Sequence, residues 1–211
     1  MASRRRMVDP RQLSLLLGDE PEENGPFDPS DSNGVFFAVM PPPAIAPRLV
    51  RFAEGQQHVY GLAGKPRPEG RLHFSLIGLG RHRDLPAQYI ERAKWAASSV
   101  RMQAFVVELS ELMSFKKEGN HPLVLCGDDG VVGIMNLYKA LGAALVTARL
   151  IRHVPSDFTP HVTLLYDPKL VDRAILDAPF SWKVNEFALV HGRDRAPEFD
   201  YLGRWPLREG G

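Results

Sequence analysis

Hydrophobic and polar residues along this chain change period several times, and the changes mark out its elements. Residues 35–40, Val-Phe-Phe-Ala-Val-Met, form a nearly continuous apolar run that stops at Pro41-Pro42-Pro43, the pattern of a buried strand. Over 44–57 the apolar residues Ile45, Leu49, Val50 and Phe52 recur at helical spacing, and a Gly- and Pro-rich loop over 61–70 follows. Residues 71–79 read as the next strand. Asp84-Leu85-Pro86 then opens a helix predicted over 87–102, with Ile90, Ala93, Lys94 and Ala97 on mixed faces. Strands are predicted over 105–113, around Phe115 and over 122–126, a meander turning through Lys117-Glu118-Gly119-Asn120 and Gly127-Asp128-Asp129-Gly130. Apolar positions 134, 137, 138, 141, 145 and 150 predict a long amphipathic helix over 131–150. After a loop over 152–159, strands are expected at 160–166, at 180–190 and near Tyr201 and Leu202, the last two separated by Gly192-Arg193-Asp194-Arg195. Clustered strands with a few covering helices predict an α+β fold.

Composition narrows this picture. A chain of 211 residues with 44% hydrophobic content can bury one good core, so residues 34–211 are expected to form a single domain. Residues 1–33 are polar and rich in Pro, Gly, Asn and Asp beyond a short Leu patch over 13–17, which predicts a flexible tail, and Arg4-Arg5-Arg6 reads as a solvated basic end. Lys and Arg number 26 against 25 Asp and Glu, a formal charge of +1, so any RNA contact must be local rather than a global attraction. The single cysteine, Cys126, excludes an intrachain disulfide and a thiolate zinc site, and is expected in the core of a protein from a reducing cytoplasm. No run of about 18 consecutive apolar residues occurs, and no apolar leader follows the Arg triplet, so neither a membrane span nor export is expected.

Candidate chemistry rests on a pattern that occurs twice. Leu72-His73-Phe74-Ser75-Leu76 and Pro160-His161-Val162-Thr163-Leu164 each hold a histidine, one apolar residue, a hydroxyl residue and a leucine. Seven histidines stand in the chain, yet only these two fit, and with 14 Ser and Thr the chance of a fit is roughly one in a hundred per histidine. In a strand, residues i and i+2 face the same way about 6–7 Å apart, so each piece presents an imidazole beside a hydroxyl. Two such pairs facing each other make an acid/base site. A lone strand histidine is more often a structural residue bonded to backbone, and His58, His82, His121, His153 and His191, lacking the pattern, read as surface or loop residues.

Other signals are weaker. Gly78-Leu79-Gly80 lacks the third glycine of a dinucleotide loop and no lysine follows a glycine loop, so a nucleotide-fuelled ligase is not expected. Asp128-Asp129 between glycines reads as a turn rather than a cation site, and no metal and no cofactor is expected. Phe36, Phe37 and Tyr166 are candidates to stack a base, against a core role for the phenylalanines.

These residues resemble the 2′-5′ RNA ligase, or RNA 2′,3′-cyclic phosphodiesterase, family of the two-histidine phosphoesterases. The likeness runs over 35–207, through Phe36-Phe37-Ala38-Val39-Met40-Pro41-Pro42, both motifs, Arg67-Pro68-Glu69 ahead of the first, Asn185-Glu186-Phe187-Ala188-Leu189 and Arg204-Trp205-Pro206-Leu207. It implies a two-lobed α+β fold with pseudo-two-fold symmetry, antiparallel sheets lining a central cleft and helices outside. It also implies metal-independent opening of 2′,3′-cyclic phosphates, with reverse 2′-5′ ligation by the same residues. His73 and His161 would share the acid and base roles, and Ser75 and Thr163 would hold the phosphate. RNA ending in a cyclic phosphate or a small cyclic nucleotide is the implied partner, and a monomer is expected. Two positions depart from the pattern: Ser75 stands where Thr is usual, keeping the hydroxyl, and Tyr166 stands where many members carry Arg. Another small cyclic phosphate as substrate, or a catalytically weak RNA- or partner-binding module, stay open as alternatives.

Overall fold

In the computed structural model the described residues are 34–81 and 85–209, so the predicted tail and His82 lie outside them. Four strands precede the second motif: β1 (Gly34–Val39), β2 (Phe74–Arg81), β3 (Phe105–Ser114) and β4 (His121–Cys126). It is followed by β5 (His161–Asp167), β6 (Ala174–Val184), β7 (Glu186–His191) and β8 (Asp200–Pro206), and the helices are α1 (Ala46–Tyr60), α2 (Ala87–Ala97) and α3 (Val132–Thr147). The strands form one antiparallel sheet in the order β6-β3-β4-β5-β2-β1-β7-β8.

That sheet is two four-stranded halves joined at a seam. Where β2 meets β5 the only paired residues are Phe74 and Val162, whereas β4 and β5 pair along their length. Each half repeats one unit, β1-α1-β2 in the first and β4-α3-β5 in the second, with β2 and β5 meeting at the seam. This is the pseudo-two-fold arrangement the resemblance implies, realised as a single pinched sheet rather than two separate ones. Only Asn185 separates β6 from β7, although they lie in different halves, so the expected strand over 180–190 is two. Trp182 of β6 packs on Phe74 of β2 with ring centroids 5.8 Å apart. A flat sheet would hold strands four places apart about 19 Å from one another, so the sheet must curl.

One face of the sheet carries the main core. Phe37, Phe74, Leu109, Leu125, Val162 and Leu164 point to it and meet Leu49 and Ala53 of α1, Ala93 and Ala97 of α2, and Ile134, Leu137 and Leu141 of α3. The opposite face carries a smaller apolar cluster, Phe36, Ala38, Ala188, Val190 and Phe199. The run Asp129–Thr147 is by length and composition apolar enough to cross a membrane; here Ile134, Leu137, Leu141 and Leu145 are spent on the core.

Helix ends depart from expectation for local reasons. α2 stops at Ala97 rather than 102 because Ser98 and Ser99 turn their hydroxyls back onto the carbonyls of Lys94 and Ala96. The chain then runs extended, exchanging main-chain bonds with Arg208. α3 stops at Thr147 rather than 150 because Arg149 takes a left-handed φ of 54° and the Leu150 amide caps the Leu145 carbonyl. Phe115 follows β3 without forming a strand of its own.

Candidate active site

The seam decides where the two motifs meet. Phe74 and Val162, register partners, are fully buried on the core side, so strand alternation turns His73, Ser75, His161 and Thr163 to the other face. Continuing the antiparallel register sets His73 across from Thr163 and Ser75 across from His161. The two histidines therefore stand on a diagonal, where sheet geometry gives a spacing of about 7–8 Å. That is a span a phosphate group can bridge with an acid on one side and a base on the other.

Both imidazoles are fixed in the same way. His73 Nδ1–H donates to the Arg71 carbonyl at 2.8 Å and His161 Nδ1–H to the Thr159 carbonyl at 2.7 Å, each two residues back along the chain. A carbonyl can only accept, so the neutral tautomer leaves Nε2 as the acceptor in each ring. In His73 that nitrogen accepts a hydrogen bond from the Ser75 hydroxyl at 2.8 Å. Aromatic rings wall the pair: Phe36 and Phe199 lie 5.1 and 5.0 Å from His73, and Phe115 lies 4.9 Å from His161.

Burial within these rings lowers the His73 pKa from 6.5 to about 3; the Arg71 carbonyl opposes this, while the charges of Arg67, His161 and Arg71 add to it. Burial also lowers His161, against the pull of the Thr159 carbonyl. The site thus holds two neutral imidazoles that resist a proton until an anion offsets the cost.

Of the stacking candidates, Phe36 reaches the site face but is 2% exposed, a wall behind His73 rather than an open platform. Phe37 is on the opposite face, fully buried against Phe187 and Trp205, which removes it as a ligand contact; adjacent strand residues cannot share a face. Tyr166 is half-buried, and Leu164 is an extra residue against β4, so the register slips before it. The Arg67 guanidinium lies 5.8 Å from the centre of the Tyr166 ring.

Arg67, Arg71, Phe115 and Phe199 are the neighbours that sequence reasoning missed. Arg71 carried a signal, since it stands two residues before His73 as Ser75 stands two after; the others come from loops whose course no periodicity encodes. Arg71 lies over Phe199, 4.2 Å from the ring centre, and donates to the Arg193 carbonyl at 3.3 Å. Cys126, the register partner of His161, is buried as expected but beside Glu111 on the site face rather than in the main core. Burial and then Glu111 push its thiol up to about 11, so it stays protonated. Glu111 is held by Arg173, whose Nε donates at 2.9 Å. His191, expected at the surface or in a loop, is instead largely enclosed within β7, because its strand runs between β1 and β8. Among the described residues no three His, Cys, Asp or Glu side chains converge as metal ligands would.

An α+β fold with a His-x-Ser/Thr pair on each side of a pseudo-two-fold seam defines the architecture of a two-histidine phosphoesterase. The family model of the 2′-5′ RNA ligase superfamily matches residues 41–196, and the chain belongs to that superfamily of phosphoesterases and ligases. Solved structures share the fold at low identity. LigT of E. coli complexed with 3′-AMP has a TM-score of 0.67 at 23% identity, covering 83% of this chain and 98% of its own. LigT complexed with phosphate gives 0.64 and 22%, covering 84% and 98%. TT0787 of Thermus thermophilus gives 0.65 and 22%, covering 84% and 100%. No curated protein matches the chain.

Proposed function

We propose that this protein opens 2′,3′-cyclic phosphates, on RNA termini or small nucleotides, by acid/base catalysis shared between His73 and His161. The observation that carries the reading is the diagonal quartet at the seam. Two imidazoles, each held through Nδ1 by a carbonyl two residues back, share a sheet face with Ser75 and Thr163 and keep Nε2 as the acceptor nitrogen. In-line attack of water on phosphorus needs one group to take the water proton and another to protonate the departing ribose oxygen, and the pair supplies both. The Thr163 hydroxyl, and the Ser75 hydroxyl once it turns away from His73 Nε2, would donate to the non-bridging oxygens, holding the phosphate in line and stabilising the charge that builds there. With a 5′-hydroxyl in place of water as nucleophile, the same groups would open the ring by alcoholysis, one taking the 5′-hydroxyl proton and the other protonating the departing 3′-oxygen, to leave a 2′-5′ linkage.

Neither proton transfer calls for a metal, so turnover should survive chelation. The test is hydrolysis of a 2′,3′-cyclic mononucleotide and of a short RNA ending in a cyclic phosphate, with EDTA present, by wild type, His73→Ala and His161→Ala. Loss of about 10²–10⁴-fold in each variant is expected. Turnover retained by either folded variant, or none by wild type on either substrate, would refute the proposal.

A further inference from the structure

Resting on the phosphoester reading of this site, we infer that Arg67 is the residue that binds the substrate phosphate at the seam, as a cation held in place by the ring of Tyr166. Its backbone is anchored beside the quartet, the Arg67 amide donating at 2.7 Å to the carbonyl of Leu164, the residue after Thr163. The loop carrying it is pinned along β5. Both the Ala63 and Gly64 amides donate to Asp167, at 2.6 and 2.7 Å, and Gln57 donates to the Gly64 carbonyl at 2.9 Å. A Cβ at Gly64 would fall 1.9 Å from the Tyr166 carbonyl oxygen, so only glycine allows this approach.

The side chain is half-buried and lies against the Tyr166 face, a contact that orients a guanidinium without neutralising it. Among the described residues no carboxylate pairs with Arg67. Its backbone is tied beside the second motif, and its charge bears on His73 and Arg71 of the first. Arg71, the other cation near His73, has a carbonyl partner and Asp194 acting on it. A half-buried guanidinium whose charge bears on a second cation, Arg71, and on the buried His73 imidazole is an unbalanced positive site, and a phosphodiester anion at the histidines relieves it. The planar fork suits two non-bridging phosphate oxygens, which the compact ammonium of lysine cannot match.

The test is an orthophosphate titration followed by the imidazole NMR signals of wild type, Arg67→Ala, Arg67→Lys and Tyr166→Leu. Arg48→Ala, which removes a guanidinium stacked on Phe180 away from the seam, is the control. Arg67→Ala should weaken phosphate at least 10-fold and, without phosphate, raise the His73 pKa by removing a like charge. Lysine should recover part of the affinity, Tyr166→Leu should fall between, and Arg48→Ala should match wild type. Affinity in Arg67→Ala within twofold of wild type overturns the inference, as does a wild-type protein whose histidines ignore phosphate. If phosphate binding depends on Arg67 but no cyclic phosphate is hydrolysed, the cyclic phosphodiesterase reading falls and the phosphate site stands.

Discussion

Lowering the pH should cost this protein stability through His73 in a window that its surroundings define. In the unfolded chain the imidazole takes a proton near pH 6.5, whereas in the fold, enclosed by Phe36 and Phe199, it does so only at about 3. The unfolded state therefore binds more protons between these values. The His73 contribution is complete above pH 6.5, is withdrawn as pH falls below it, and levels off below about 3. Each pH unit inside the window removes about 1.4 kcal/mol, so moving from pH 7 to pH 5 costs about 2 kcal/mol. Because pH 5 lies well above the folded value, a shift of one unit in that value barely alters the figure. The assay is urea unfolding of wild type and His73→Gln at both pH values. With a slope of about 2.5 kcal/mol per molar urea, the wild-type midpoint should fall by about 0.8 M more than that of the variant. His161 and the carboxylates titrate in both proteins and cancel. Equal losses in the two proteins would refute the reasoning, since His73 would then be exposed enough to accept a proton in the fold.

Three further outcomes follow from the same geometry. Gly64→Ala should push the loop carrying Arg67 off β5, because the new Cβ meets a main-chain oxygen that cannot yield; a weaker phosphate response with native-like circular dichroism checks it. Asp167 is 2% exposed, and although burial alone would raise its pKa, amide donors from Lys169, Gly64 and Ala63 hold it below the usual range. Asp167→Asn should cost about 3 kcal/mol in urea unfolding at pH 7, with the gap to wild type narrowing in acid as the carboxylate protonates. Both motif histidines have lowered pKa values, and the proposed mechanism needs one protonated and the other not. The kcat/KM profile on a cyclic mononucleotide should therefore peak below pH 6.5 and fall toward alkaline pH; a maximum at pH 8 would contradict it.

How much of this is legible in the sequence depends on whether a residue's place is set by strand period or by a loop. Period two alone puts His73 with Ser75 and His161 with Thr163 on shared faces, and the same rule, applied within β1, separates Phe36 from Phe37. What the rule cannot supply is the phase of a strand relative to the core, so both phenylalanines stand as contacts in the sequence, and only the packing of Phe37 against Phe187 and Trp205 removes one of them. At Tyr166 period two also fails, because Leu164 is an extra residue against β4 and resets the alternation. Along the chain, a tyrosine at 166 looks like a cation lost from the site. In space the loop over 61–68 lies along β5, with Gly64 against the Tyr166 carbonyl and Arg67 against its ring. The charge at the seam is thus set by contact between segments about 100 positions apart, which no local pattern encodes. Substitutions at 64, 67, 166 and 167 should accordingly act as one unit rather than add.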